Sequence, residues 1–127
     1  MKNAKFYVCP HCGNLVEMVT DAGVNPVCCG QKMKELVPNT VDASGEKHIP
    51  VVSVADGVVE VNVGSVDHPM VDVHWIEWVQ LVTDKGSYRK ALNPGEAPKV
   101  SFLLKDEKPL AVYAYCNLHG LWKTELN

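Results

Sequence analysis

The sequence predicts an all-β protein in which a small metal-stapled domain precedes a seven-stranded β-sandwich. Runs of β-branched residues recur from residue 40 onward, at regular spacing and with turn residues between them. Valine alternates with polar residues from 58 to 63, as expected of a half-buried strand. No stretch shows a convincing helical pattern, and four of the five cysteines fall within the first 36 residues.

Size and composition limit the possible classes of function. The chain has 127 residues, of which 46% are hydrophobic, enough for one core. Twelve basic and 15 acidic residues give a net charge of -3, so a basic stripe for nucleic acid is not expected. No apolar run reaches the roughly eighteen residues of a membrane span, and no apolar signal region follows the first lysines. We therefore expect a soluble, cytoplasmic protein with no nucleic-acid and no membrane partner.

The first domain is predicted to cover residues 1–36 and the second residues 37–127, with Pro38-Asn39 at the boundary. Strand candidates at residues 5–8 and 15–19 flank the turn that carries Cys9 and Cys12. A segment of 36 residues buries too little surface to fold without a cross-link such as a bound metal or a disulfide. The first domain is therefore expected to depend on its cysteines.

The second domain contains strand candidates separated by clear turn signals. Asp56-Gly57 between two valine-rich runs predicts a two-residue hairpin. Later runs end at clusters of Asp, Asn, Gly and Pro. The seven expected strands cover residues 51–55, 58–63, 73–82, 88–92, 99–104, 110–115 and 121–126.

Four cysteines form the expected staple of the first domain: Cys9, Cys12, Cys28 and Cys29. The Cys-x-x-Cys spacing lets two thiolates bind one ion from a tight turn, and Gly13 permits the positive φ that such turns often need. Two disulfides, or free thiols, are the alternative. Tetrahedral sulfur ligation suits zinc and iron equally, so the residues alone leave the metal open.

The adjacent pair Cys28 and Cys29 requires a sharp bend. Neighbouring side chains on a regular strand point to opposite faces, so both sulfurs reach one ion only if the backbone turns between them. Pro26 before the pair and Gly30 after it make such a bend plausible. We predict a tetrahedral four-sulfur site with distorted angles at this edge.

A second group of metal-binding side chains lies in the second domain. Cys116 stands three residues before His119, at the end of an apolar run. Three further histidines lie in loops or at the start of a strand: His48, His68 and His74. A rigid sandwich can point side chains from such positions toward one place. Imidazole nitrogens with one thiolate suit a borderline transition metal, so we predict a second metal centre.

Together these motifs resemble those of desulfoferrodoxin, the two-iron superoxide reductase family, over the whole chain. In order they are Cys9-x-x-Cys12, Cys28-Cys29, Glu46-Lys47-His48-x-Pro50, His68-Pro69-Met70, His74-x-Ile76-x-Trp78 and Cys116-Asn117-x-His119-Gly120. The resemblance implies a desulforedoxin-like first domain, with iron held by the sulfurs of Cys9, Cys12, Cys28 and Cys29. It implies an immunoglobulin-like sandwich whose iron has an axial thiolate, Cys116, and four equatorial imidazoles, His48, His68, His74 and His119.

The same resemblance implies an activity and partners. The family reduces superoxide to hydrogen peroxide, using one electron and two protons. Lys47 would attract superoxide and aid its protonation, and Glu46 would take the sixth position on the oxidised iron once the product leaves. The implied electron donor is a small redox protein such as rubredoxin, and the implied assembly is a homodimer.

Other residues near the expected ligands are predicted to serve the fold or to tune the site. His11 is predicted to be a surface residue. Backbone N–H groups in the turn after Cys116, at Asn117 and Leu118, are predicted to donate to its sulfur. A packing role is predicted for Trp75, Ile76 and Trp78.

Three other functions compete with superoxide reduction at this stage. An electron-transfer module would account for residues 1–36 but not for the histidines and Cys116. A zinc ribbon fused to a sandwich would contain only zinc and would be colourless. A superoxide dismutase would release dioxygen with no external electron donor.

Overall fold

The computed structural model describes residues 3–126, which divide into two compact units. One unit covers Asn3–Val37, and the other covers the described chain from Pro38 onward. Each unit has a cluster of buried apolar side chains of its own. Among the described residues, no helix is long and apolar enough to cross a membrane.

The Asn3–Val37 unit consists of two small antiparallel sheets, with strand orders β2-β1-β5 and β3-β4. Its strands are β1 (Phe6–Val8), β2 (Leu15–Glu17), β3 (Val27–Cys28), β4 (Gln31–Lys32) and β5 (Lys34–Glu35). Tyr7, Cys9 and Met33 form its small buried core. The first two strands match the sequence prediction. The other three have two residues each, too few to show a period.

The second unit is a sandwich of seven antiparallel strands, as the sequence predicts. The strands are β6 (Pro50–Ala55), β7 (Val58–Val63), β8 (Ile76–Thr83), β9 (Ser87–Ala91), β10 (Lys99–Leu103), β11 (Pro109–Cys116) and β12 (Gly120–Glu125). One sheet has three strands in the order β10-β7-β6, and the other has four in the order β12-β11-β8-β9.

Valine alternation places the core between the sheets. In β7, Val59, Val61 and Val63 are at most 2% exposed and belong to the main apolar cluster, whereas Glu60 faces solvent. The Asp56-Gly57 turn joins β6 to β7 as predicted, with positive φ at both residues, the requirement of a tight hairpin turn.

Two local expectations are wrong. Gly45–His48 form a single helical turn, α1, where a loop is expected. One turn is shorter than the window over which a helical period can be recognised. The strand expected from Val73 begins at Ile76, because His74 forms an isolated bridge with Val71 and so lies in a turn.

The turn α1 lies directly against the chain segment that follows β7. The backbone N–H of Val66 donates to the Glu46 carbonyl at 2.9 Å, and the Ser65 hydroxyl donates to the same oxygen at 3.3 Å. Gly64 is buried there, and a Cβ atom on it would lie 2.4 Å from the Glu46 carbonyl oxygen. A glycine is therefore required at this contact.

Candidate metal centres

The structure brings the four cysteines of the first unit together. Each offers a sulfur, and the four sulfurs all lie within 4.8 Å of one another. The Cys12 and Cys28 sulfurs are 3.6 Å apart, and those of Cys28 and Cys29 are 4.0 Å apart. All five cysteines of the chain are free, which argues against the disulfide alternative.

The bend required at the cysteine pair is present. Cys29 has a φ of 53° and Gly30 a φ of 74°, so the chain turns through the left-handed region directly after Cys28. A cysteine rarely adopts that conformation, and holding it there needs a compensating interaction. A shared ion for the two neighbouring sulfurs would supply one.

Hydrogen bonds favour the thiolate form of Cys9. The backbone N–H of Cys12 donates to its sulfur at 3.4 Å, the largest of the contacts that lower the pKa of Cys9 to about 6. Cys9 is buried whereas Cys12 and Cys29 are exposed, so one edge of the cluster faces solvent. His11 is exposed, as predicted.

A second cluster forms in the sandwich unit. The ligand atoms of His48, His68, His74 and Cys116 all lie within 4.8 Å of one another. The fifth predicted residue joins them, because His119 Nδ1 lies 3.1 Å from His48 Nε2 and 3.9 Å from the Cys116 sulfur. The residues come from α1, the chain between β7 and β8, and the β11–β12 turn.

The four imidazoles surround one point. Neighbouring rings are close to perpendicular, with interplanar angles of 78° for His48–His68, 80° for His68–His74, 78° for His74–His119 and 85° for His48–His119. His48 and His74 face each other across the cluster, with ring centroids 6.3 Å apart. The rings therefore follow the order 48, 68, 74, 119 around a common centre.

The hydrogen bonds of two rings fix which nitrogen faces that centre. His48 Nδ1 lies 2.6 Å from the Ser44 carbonyl oxygen, and His68 Nδ1 lies 2.6 Å from the Pro69 carbonyl oxygen. A carbonyl only accepts, so each Nδ1 carries the proton and each Nε2 carries a lone pair. Carbonyl anchoring of this kind is typical of metal-binding histidines.

These lone pairs make the cluster fit a cation. His48 Nε2 and His68 Nε2 lie 3.2 Å apart with no proton between them, an arrangement that is repulsive unless a positive ion lies nearby. His74 Nε2 is buried and has no hydrogen-bond partner within residues 3–126. The donor set thus matches a nitrogen-rich transition-metal centre.

Three of the rings are held neutral by their surroundings. Desolvation on burial lowers the pKa of His48, His68 and His74, that of His68 to about 4, and repulsion between the rings adds to the effect. Neutral imidazole is the form that binds metals. His48, His68 and His74 are therefore in the form that binds a metal at neutral pH.

Cys116 lies at the buried end of the cluster. Its side chain is fully buried, which raises the pKa of the thiol, and the His119 N–H donates to its sulfur at 3.4 Å. A backbone hydrogen bond to the sulfur is therefore present, but its donor is His119, one position beyond the predicted Asn117 and Leu118. The contact repeats the one that Cys12 makes to Cys9.

Glu46 and Lys47 lie in α1 beside the cluster, and both are exposed. The charge of Lys47 contributes to lowering the pKa of His48 and of His74, so it acts on two opposite rings. One end of the cluster is thus buried and apolar, and another adjoins an exposed cation.

Two residues make contacts to the ligands that the sequence does not predict. Trp122 stacks on His48, with ring centroids 4.7 Å apart, and its indole N–H donates to the His119 carbonyl at 3.1 Å. The Asn117 side chain binds the backbone on both sides of His74. Only the pairing of β11 with its neighbours brings these groups to the cluster. Ile76 and Trp78 are buried, in keeping with their predicted packing role.

The chain matches two family models. The desulfoferrodoxin model covers residues 40–125, and the model of the desulfoferrodoxin N-terminal domain covers residues 2–36. The chain is 49% identical to desulfoferrodoxin of Nitratidesulfovibrio vulgaris over 95% of each protein. It is 35% identical to the superoxide reductase of Thermococcus kodakarensis, over 67% of this chain and 90% of that one.

Solved structures show the same likeness. The superoxide reductase of Treponema pallidum superposes with a TM-score of 0.81 at 41% identity, covering 97% of this chain and 99% of that one. The superoxide reductase of Giardia intestinalis gives a TM-score of 0.56 at 30% identity, covering 65% of this chain and 98% of the other.

Proposed function

The chain belongs to the desulfoferrodoxin family, and we propose that it is a superoxide reductase that converts superoxide, one electron and two protons into hydrogen peroxide. The observation that carries this proposal is the ring of four imidazoles with one buried thiol at its end. The superoxide reductases similar to this chain support it. The enzyme would be an oxidoreductase that uses superoxide as the electron acceptor.

The family has two iron centres, and the two clusters provide a ligand set for each. We infer that Cys9, Cys12, Cys28 and Cys29 hold one iron, and that His48, His68, His74, His119 and Cys116 hold the other. Iron in the histidine cluster would supply the electron for the reaction. Four neutral imidazoles and one thiolate leave a ferrous site with net positive charge, which favours an anionic substrate.

Lys47 is proposed to bring superoxide to the site and to help protonate it. The chain carries a net charge of -3, so attraction of an anion must come from local charge. Lys47 is exposed next to the cluster, and its ammonium group can hold a proton for the product. We infer that the Glu46 carboxylate closes this end of the cluster after the product leaves.

The remaining proposals concern electron supply and assembly. We propose that residues 1–36 and 37–127 act as two functional domains, and that the exposed edge of the four-cysteine cluster accepts electrons from a small redox protein such as rubredoxin. A homodimer is proposed from the family resemblance, and a cytoplasmic location is proposed because closely spaced metal-binding cysteines are typical of a reducing compartment. Size-exclusion chromatography with light scattering tests the dimer.

Iron content and the visible spectrum test the metal assignment. We expect two iron ions per chain and a thiolate-to-iron band that appears on oxidation and is lost in Cys116→Ser. A colourless protein that contains only zinc would overturn the proposal. Dioxygen release from superoxide with no donor present would indicate a dismutase instead.

The role of Lys47 is tested with a matched pair of variants. Lys47→Ala and Lys105→Ala both remove one exposed positive charge, but only Lys47 adjoins the cluster. We expect Lys47→Ala to slow the second-order reaction with superoxide about tenfold at low salt and to flatten its dependence on ionic strength. Lys105→Ala should keep the parent rate. Equal rates for the two variants would remove Lys47 from the mechanism.

A further inference from the structure

The side chain of Asn117 binds the backbone on both sides of His74. Its Oδ1 accepts from the Trp75 N–H at 2.9 Å, and its Nδ2 donates to the Val73 carbonyl at 3.0 Å. The backbone N–H of Asn117 also donates to the Trp75 carbonyl at 3.3 Å. Three hydrogen bonds therefore tie the turn after Cys116 to residues 73–75.

Apart from these bonds, the segment of residues 73–75 is held by two backbone bonds between His74 and Val71, both 3.0 Å, and by the bond from the Trp75 indole N–H to the Leu92 carbonyl at 3.3 Å. It comes before β8, in a turn with an isolated bridge to Val71, and the neighbouring Val73 is 76% exposed. His48 and His68 are oriented by carbonyls close to them in sequence. The Nε2 atom of His74 is buried and has no hydrogen-bond partner among the described residues. The orientation of the His74 ring therefore depends on the position of the backbone at residues 73–75.

We propose that Asn117 is a positioning residue that fixes His74 within the ring of imidazoles. An amide carries an acceptor and a donor in one plane, which matches the N–H of Trp75 and the carbonyl of Val73. Because Asn117 directly follows Cys116, it also fixes the position of His74 relative to the Cys116 sulfur. The proposal deepens the proposed function, on which it rests, by assigning a residue that shapes the histidine centre.

The chain offers a matched control for this contact. Asn39 makes the same pair of bonds to the backbone of Lys123, with Nδ2 to the carbonyl at 3.1 Å and Oδ1 from the N–H at 2.9 Å. An Asn→Asp change at either position keeps the shape and the acceptor, removes the donor and adds one negative charge. Each variant loses the side-chain donor bond to a backbone carbonyl, but only the bond of Asn117 lies next to a metal-binding residue, His74.

The test compares Asn117→Asp with Asn39→Asp in the full iron-loaded chain. Both should lower the thermal midpoint by a similar amount. Only Asn117→Asp should weaken ferrous binding at the histidine centre, by about 10–100-fold in a chelator competition, as loss of an outer-shell partner does. It should also change the nitrogen hyperfine couplings of the oxidised centre. If Asn117→Asp does not fold, Asn117→Ala takes its place, because it removes both side-chain bonds without adding a charge.

A double-mutant cycle separates positioning of His74 from a general effect on the fold. In a His74→Ala background, Asn117→Asp should cause no further loss of iron affinity, because the ligand it positions is gone. Additive losses would overturn the proposal, as would affinity within twofold of the parent and unchanged couplings. None of these readouts uses superoxide, so failure here is distinct from failure of the proposed activity.

Discussion

Gly64 lies against the backbone of α1, and we expect Gly64→Ala to displace the turn that carries Lys47 and His48. The new Cβ would lie 2.4 Å from the Glu46 carbonyl oxygen and 2.9 Å from the Lys47 carbonyl carbon. Both are backbone atoms, so no flexible side chain can move aside.

The size of the displacement follows from these distances. Cβ contacts shorter than 3.0 Å are essentially never seen, so the two segments must separate by at least 3.0 − 2.4 = 0.6 Å. Overpacking of this kind costs about 1–3 kcal/mol, and each kcal/mol lowers the midpoint of a domain of this size by about 4–8 °C. Since a misplacement of about 1 Å costs about 100-fold in rate, we expect the reaction with superoxide to slow by about tenfold or more.

Gly45→Ala is the control, because it adds the same methyl group to the same turn. There the nearest atom is the end of the Ile49 side chain at 3.3 Å, and Ile49 is 40% exposed and free to move. Thermal unfolding, chelator competition and the rate of superoxide consumption are measured on both variants. Gly45→Ala should match the parent. If Gly64→Ala also keeps its midpoint, iron affinity and rate, the argument that this contact sets the position of α1 is refuted.

Two further predictions concern Trp122 and the Tyr88–Glu107 pair. Trp122→Phe keeps the stacking on His48 but loses the bond to the His119 carbonyl, whereas Trp122→Leu loses both contacts. Iron affinity should therefore fall from the parent to Trp122→Phe and again to Trp122→Leu. Equal affinity in the parent and both variants would contradict this prediction. Glu107 accepts from the Tyr88 and Thr83 hydroxyls, which hold the pKa of its carboxyl below the ordinary value, so the stability it adds is present above about pH 4.5 and lost as the pH falls. Tyr88→Phe should therefore lower the urea midpoint at pH 7 more than at pH 3.5, relative to the parent at each pH, and an equal loss at both would contradict this reasoning.

The strands and the ligands could be predicted because their signals are local. Valine alternation along β7 is a property of consecutive residues, and so is the Asp56-Gly57 turn. The metal-binding residues could also be predicted, because several cysteines and histidines at turn positions together indicate a metal site. Recognition of the family motifs then assigned a role to each ligand.

The supporting contacts could not be predicted, because they depend on which elements meet in space. Asn117 reaches the backbone at residues 73–75, 42 to 44 positions earlier in the chain. Gly64 matters only because α1 packs on it, and α1 is too short to show a helical period. The sequence predicts a backbone bond to the Cys116 sulfur, but it does not predict that His119 is the donor or that the Asn117 side chain binds the backbone near His74.

The histidine cluster also has a consequence for the connectivity of the chain. His48 and His119 are 71 positions apart, so any ion bound to both closes a loop that contains most of the sandwich. For a loop of that length, the chain-entropy relation used for disulfides gives a stabilisation of about 4 kcal/mol, because the cross-link lowers the entropy of the unfolded chain. The loaded ion would therefore work as a reversible cross-link. The sandwich then cannot open at the β11–β12 turn until metal bonds break, so unfolding of the loaded chain should wait for release of the metal.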